Sequence, residues 1–286
     1  MILVTGGTGF FGSHLVPRLV TAGEQVRVLA RQAAPMPGVE VVAGDVRDLS
    51  AVVRAARGCR AVIHLVGIIR EQKGANYHSL HVGGTRIIIR ACGEAGVHRL
   101  LHMSALGARP RARSRYHKTK WQAEELVRSS ALAATIFRPS IMFGAGNSFF
   151  PQLRQILRYG PVIPIIGRGV TALQPVWAED VVSCFLAALD NPATEGHTYQ
   201  LGGPEVFGFE QLVDLLADAE EVNKPKLHLP PLLVRPAVSL LSHLLPNFPI
   251  TGDQLTMLLE DNICDIAEMR EVFSIQPARL ADHLND

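Results

Sequence analysis

Within its first dozen residues the chain runs from Met1-Ile2-Leu3-Val4-Thr5 straight into Gly6-Gly7-Thr8-Gly9-Phe10-Phe11-Gly12. An apolar run of strand formers, glycines at 6, 9 and 12, and then Leu15, Val16, Leu19 and Val20 at helical spacing form one strand–turn–helix unit. Few folds accommodate such a turn. The first glycine permits the tight reversal, the second lets a pyrophosphate approach the backbone, and the third lets the helix pack on the strand. The unpaired N–H groups and the positive end of the helix dipole then face the ligand's charge. Gly6, Thr8, Gly9, Phe10, Phe11 and Gly12 are therefore the expected phosphate-binding segment.

Strands and helices continue to alternate. Gln25–Ala30 reads as a second strand, Val39–Ala43 as a third, Ala61–Leu65 as a fourth and Arg99–Met103 as a fifth. A helix is expected from near Ser50, and a long one over Tyr77–Ala95 with Ile87, Ile88, Ile89 and Ala91 turned inward. This order predicts an α/β fold, a doubly wound parallel sheet whose ligands sit at the carboxyl ends of the strands.

The end of the second strand faces the adenosine ribose in such folds, where an acidic side chain would repel a 2′-phosphate. Ala30 and then Arg31 stand there, which predicts NADP(H) in preference to NAD(H). Asp45 is expected to bond the adenine amino group, with Val46 packed on its ring. Asp48 lies nearer the start of the next helix and is the better cap. Leu65, Val66 and Gly67 close the fourth strand with small or apolar residues beside the cofactor. His64, by contrast, reads as a satisfied core histidine.

Tyr116 and Lys120, four residues apart, share one face of a helix. A phenol with an ordinary pKa of ~10 is a poor base at neutral pH, and a nearby ammonium and a positively charged nicotinamide ring both favour its ionised form. Such a pair can exchange a proton with a hydroxyl or carbonyl while hydride moves to or from a nicotinamide.

Together with Gly44-Asp45-Val46 and Phe137-Arg138-Pro139-Ser140, these motifs resemble those of the extended and atypical short-chain dehydrogenase/reductases. The stretches Tyr116-His-Lys-Thr-Lys-Trp-Gln-Ala-Glu-Glu, Leu173-Gln-Pro-Val-Trp-Ala-Glu-Asp180 and Phe248-Pro-Ile-Thr-Gly-Asp-Gln-Leu are similar to those of bacterial relatives of the nucleotide-binding accessory subunit of respiratory complex I. The resemblance implies Tyr116 as proton donor or acceptor, Lys120 on the nicotinamide ribose, Pro139 and Ser140 beside the ring, and Ser104 as the residue nearest the family's catalytic hydroxyl. It also implies two departures. Leu106 stands where that hydroxyl belongs, and His81-Val82-Gly83-Gly84-Thr85 replaces an Asn-led helix motif. Two functions follow as alternatives: an oxidoreductase or epimerase acting on a small hydroxyl, carbonyl or quinone substrate, or a structural or redox-sensing nucleotide binder attached to a membrane complex.

Residues 1–146 with 172–201 are expected to form the dinucleotide-binding domain, and residues 147–171 with 202–286 a smaller, mainly helical substrate or partner domain. Pro151 to Tyr159 reads as helical, Gly160 to Gly169 as a loop able to close over the cofactor, and Thr198–Leu201 as the last strand. Asp180 reads as a cap or an orienting residue. Beyond Gly202 strand–helix alternation is expected to cease. Leu232–Leu245 is the most apolar stretch there; at fourteen residues it is too short to span a bilayer and is expected to be buried against the main domain, a membrane surface being the alternative.

A net charge of +2 gives no nucleic-acid footprint, and the arginines between Arg109 and Arg115 read as a solvated loop. Cys59, Cys92, Cys184 and Cys264 are too far apart for a metal knuckle and read as reduced thiols, and the histidines show no metal spacing. With a strand starting at the second residue, no signal or transit peptide is expected in the sequence as it stands, and the protein is expected to be cytoplasmic or already processed, at most peripheral to a membrane.

Overall fold

The computed structural model describes residues 1–32, 34–244 and 250–284. All four residues of β1 (Ile2–Thr5) are buried, and the chain leaves them through the glycine turn into α1 (Phe10–Thr21). Gly6 holds φ +80, and a Cβ there would lie 3.0 Å from the Val66 backbone nitrogen. On Gly12 a Cβ would come within 2.4 Å of the Gly6 carbonyl oxygen. The helix backbone thus rests directly on the turn, and no side chain fits between them.

The chain continues through β2 (Val26–Ala30), β3 (Val39–Ala43), α2 (Leu49–Ala56) and β4 (Ala61–His64). Then come α3 (Gly84–Ala95), β5 (Arg99–Met103), α4 (Arg115–Arg128) and β6 (Ala133–Pro139). β3 and β5 match the expected spans, whereas β4 stops at His64, one residue short. The helix expected from Tyr77 opens with a widened π-type segment, His78–Gly83, before α3 proper. Gly83 and Gly84 offer little resistance to that distortion, and His81 is held by side-chain bonds described below. Ile88 and Ala91 are buried, but Ile87 and Ile89 only partly. Three consecutive helical residues fan around the axis and cannot all face inward.

The remaining elements are β7 (Met142–Phe143), α5 (Phe149–Tyr159), β8 (Ile163–Ile166), β9 (Ala172–Leu173), β10 (Val176–Trp177), α6 (Ala178–Leu189) and β11 (Thr198–Leu201), followed by β12 (Phe207–Gly208), α7 (Phe209–Ala219), β13 (Lys226–Leu229), α8 (Pro231–Leu244), α9 (Gly252–Leu258) and α10 (Ala267–Glu271). Seven strands form one sheet in the order β11-β6-β5-β4-β1-β2-β3, parallel throughout. The order reverses between β1 and β4, so a crevice opens beyond their carboxyl ends, where the glycine turn lies. One face of the sheet packs on α1 and α6 through residues such as Leu15, Leu19 and Phe185. The other packs on α2 and α3 through Val52, Ile88 and Ala91. Phe143, Phe150, Leu157, Ile165, Leu212 and Leu216 form a third, separate apolar cluster.

Three expectations for the last part of the chain are corrected. Gly160–Gly169 is no simple loop, because it contains β8. Strand pairing also persists beyond Gly202, since β8 runs parallel to β13 with Ile163 opposite Lys226 and Ile166 opposite Leu229. Pro164 hid that strand from a pattern reading, although proline is tolerated at an unpaired edge. Finally, α8 is not buried: Leu232, Leu233 and Leu240 are 83%, 70% and 61% exposed, although Val238 is buried and the helix lies against α9. Leu245, Pro246, Phe248 and Pro249 fall outside the described residues. Asp180 does orient structure, accepting the Ala278 N–H at 2.8 Å.

Gly12→Ala is expected to destabilise the fold by about 2 kcal/mol or more, since the clash is with backbone that can yield only by lifting α1. Urea unfolding measures it, and an unchanged midpoint would contradict this account of the turn.

Candidate active site

The phosphate end is backbone. Gly9 caps α1 in an extended conformation, with no side-chain bond to the helix N–H groups and no acid in the first turn. An anion therefore meets unpaired donors and no competing charge, so the residues present fit a dinucleotide pyrophosphate. Thr8 is exposed and Phe10 half-buried, whereas Phe11 belongs to the core, 5.1 Å from the Phe185 ring. His14, which pattern reading passed over, bonds Glu179 through Nδ1 and the Ala145 carbonyl through Nε2, both at 2.8 Å. It thereby ties α1 to α6 and to the loop after β7.

At the adenosine end, Arg31 is exposed beyond β2. The Asp45 carboxylate accepts the Arg47 N–H at 2.9 Å and its guanidinium at 2.9 and 2.7 Å. Arg47 accordingly holds the Asp45 carboxyl below the usual range, with a smaller contribution from Arg31. Val46 is buried beside it, and Asp48 caps α2 through Ser50 and Ala51. Leu65 extends the sheet by bonding the Thr5 carbonyl. Val66 backs onto Gly6, while a Cβ on Gly67 would lie 3.0 Å from Lys120 Nζ.

Ser114 caps α4 by accepting the His117 N–H, and the Asp253 carboxylate accepts the Arg115 and Tyr116 N–H groups at 2.7 and 3.0 Å. The rings of Tyr77, His81 and His117 surround Tyr116 at 5.9, 5.4 and 5.4 Å. Lys120, fully enclosed, donates to the Met103 carbonyl at 2.9 Å. Burial pulls its ammonium down to about 8, opposed by the negative charge of Glu124. Burial likewise pushes the Tyr116 phenol up to about 12. Desolvation outweighs the neighbouring ammonium at Tyr116 and favours the neutral phenol.

Three buried histidines stay neutral. Burial takes His64 down to about 3 and His81 to about 2, in each case assisted by Lys120, and holds His102 well below its usual value. Ile68 N–H donates to His81 Nε2 at 3.1 Å, which assigns the ring proton to Nδ1, 2.9 Å from Thr119 Oγ1. His64 is bonded to Thr5 through Nδ1 at 2.7 Å, but its Nε2 has no partner among the described residues.

Ser104 lies apart from this arrangement. Its hydroxyl donates to Glu124 at 2.5 Å, and Glu124 also accepts from Arg128 at 2.5 Å and from Arg138 at 2.8 and 2.6 Å. Leu106 is buried, leaving Ala105 as the half-exposed residue of the segment. Pro139 is buried, and Ser140 Oγ donates to the Asn262 side-chain oxygen at 2.6 Å. Glu124, Asp253 and Asn262 escaped pattern reading, although Glu124 and Asp253 stand within motifs it singled out.

Residues 2–202 match the NAD dependent epimerase/dehydratase family. The chain is 32% identical over 228 residues to the mitochondrial NADH dehydrogenase [ubiquinone] 1 alpha subcomplex subunit 9 of Arabidopsis thaliana, covering 75% of this chain and 56% of that protein. It is 31% identical over 197 residues to the ceramide reductase of Caulobacter vibrioides, covering 67% and 62%. The chain thus spans less than two thirds of either relative. Among solved structures, MoeE5 in complex with UDP-glucose and NAD superposes with a TM-score of 0.79 at 20% identity, over 99% of this chain and 95% of that one. That likeness shows the fold.

Because Lys120 titrates near about 8 when folded and at its ordinary 10.5 when unfolded, the unfolded chain holds the extra proton between those values. Stability is then expected to rise with pH across that window, by on the order of 3 kcal/mol. Lys120→Met should flatten the rise relative to the wild-type protein in urea unfolding at pH values spanning it; parallel curves would contradict the assignment.

Proposed function

The chain belongs to the NAD dependent epimerase/dehydratase family, and from that premise we propose that it holds NADP(H) along the carboxyl edge of its sheet as a structural or redox-sensing group. The observation that carries this reading is an uncapped phosphate turn combined with a substrate end that offers no spare hydroxyl between residues 104 and 106. Ser104 is committed to Glu124, and Ala105 and Leu106 have none to give. The turn from Gly6 to Gly12 would take the pyrophosphate on the free backbone N–H groups that open α1, Asp45 and Val46 the adenine, Lys120 the nicotinamide ribose, and Pro139 and Ser140 the ring. The Arabidopsis relative is named as a subunit of an NADH dehydrogenase, which supports attachment to a membrane complex as the setting.

Arg31, which follows β2 at a place where the sequence carries no acid, favours the 2′-phosphate. Arg31→Ala is expected to reduce the preference for NADPH over NADH about tenfold or more, as loss of a charge-assisted hydrogen bond does. Parallel titrations of both cofactors check it, and an unchanged ratio rejects the role.

A second reading, an oxidoreductase or epimerase acting on a hydroxyl or ketone substrate, with carbonyl reduction as its simplest step, is favoured by one observation: Tyr116 is a neutral phenol one helical turn from a buried ammonium. When bound, the dinucleotide would supply hydride to the carbonyl carbon. Tyr116 would donate the proton to the oxygen, and Lys120 would fix the ribose and support the phenolate that results. Single-turnover oxidation of protein-bound NADPH against ketones, aldehydes, quinones and nucleotide sugars separates the two readings. Under the first, NADPH stays reduced and dissociates slowly. Oxidation that vanishes in Tyr116→Phe would establish the second.

A further inference from the structure

The exposed side of α8 is ordered rather than random. Leu232, Leu233, Pro236, Ala237 and Leu240 are all exposed and fall at i, i+1, i+4, i+5 and i+8, which places them in one stripe along the helix. Val238 is the buried residue of the opposite side. Soluble surfaces scatter their apolar residues singly, whereas a continuous apolar stripe marks a contact.

The charge around it is one-sided. No aspartate or glutamate occurs between Glu221 and Asp253, while Lys224, Lys226 and Arg235 do. Lys226 is neutralised by Glu210 and Asp214. Arg235 on the helix is exposed and makes no ion pair among the described residues. Neither does Arg168, which is also exposed and follows Gly167, a residue whose Cβ would touch the Pro231 ring at 3.4 Å. Two uncompensated guanidiniums thus accompany the stripe, one on the helix and one at its first turn.

We propose that α8 is a membrane-surface element, which lays its leucine stripe into the headgroup boundary of an anionic bilayer while Arg168 and Arg235 meet lipid phosphates. The stripe spans about 12 Å at the helical rise of 1.5 Å per residue. Five side chains over that length are well below the roughly 20–30 residues a side that a stable protein interface uses. They suffice for shallow insertion, which needs an apolar face flanked by cations. Among the described residues no helix is long and apolar enough to cross a membrane, so the contact is with one surface. α8 lies on α9, whose Asp253 bonds the first N–H groups of α4, so the docked surface is one helix away from Tyr116.

The test is co-sedimentation of the full chain with vesicles of phosphatidylcholine containing about a third phosphatidylglycerol, and with pure phosphatidylcholine. The intact protein is expected to bind the anionic vesicles at least several-fold more strongly, and more weakly as salt rises. Leu232→Glu with Leu240→Glu should abolish binding to both, and Arg168→Glu with Arg235→Glu should remove the preference for anionic lipid. Nothing in the fold rests on these four exposed side chains, and NADPH titration and circular dichroism verify that the variants are intact. Failure of the intact protein to sediment overturns the proposal, as does a dimer of the intact chain that the leucine variants dissolve, since the stripe would then serve a second copy. Absence of NADPH binding in every protein, with vesicle binding preserved, would sink the nucleotide reading and leave this one standing.

Discussion

The carboxylate of Glu124 has no solvent exposure, and it is met by two guanidiniums and a hydroxyl. A charge buried that deeply costs several kcal/mol unless its lone pairs are satisfied, and breaking such a group by removing one partner is far worse than never having built it. Its partners arrive from three directions: Ser104 from the end of β5, Arg128 from α4 itself, and Arg138 from β6. Those same elements carry Met103, Tyr116, Lys120, Pro139 and Ser140. The spacing of the candidate active site is therefore fixed by a charge cluster behind it, and Lys120, one helical turn earlier, stays closer to protonated because of it. Ser104 becomes intelligible on the same basis, as a strut between strand and helix.

What the sequence discloses and what it conceals follow from the range of the interactions involved. The turn at Gly6, Gly9 and Gly12 is legible because its constraint is local backbone geometry, and β3 and β5 are legible because short apolar runs at the spacing of a strand–helix repeat read as strands. Tyr116 and Lys120 are recognisable from their spacing, and Asp48 from its place before α2. Glu124 and Glu125, however, are adjacent acids on a helix of low hydrophobicity, and nothing local says that one is buried and the other exposed. Asp253 and Asn262 act across more than a hundred residues of chain, through backbone groups that carry no sequence signature. The direction of the Tyr116 shift escaped for a related reason: neighbouring charge can be guessed from spacing, whereas the degree of desolvation belongs to the packed structure.

The N-terminus of α4 shows how far that dependence reaches. The first three N–H groups of a helix have no partner within it, and here Arg115 and Tyr116 give theirs to Asp253 while His117 gives its own to Ser114. A carboxylate at that position also faces the positive end of the helix dipole, so the contact is favourable on both counts. Asp253 is held in turn by α9, which Thr251 and Gln254 close with a reciprocal pair of side-chain to backbone bonds. The residue that would carry the proton thus sits on a helix whose first turn is completed from the far end of the chain. Any movement of α9 would release two backbone donors beside Tyr116 into a space with few replacements. Since α8 has α9 beneath it and an unpaired apolar stripe above, whatever covers that stripe also restrains the helix that bears Tyr116 and Lys120.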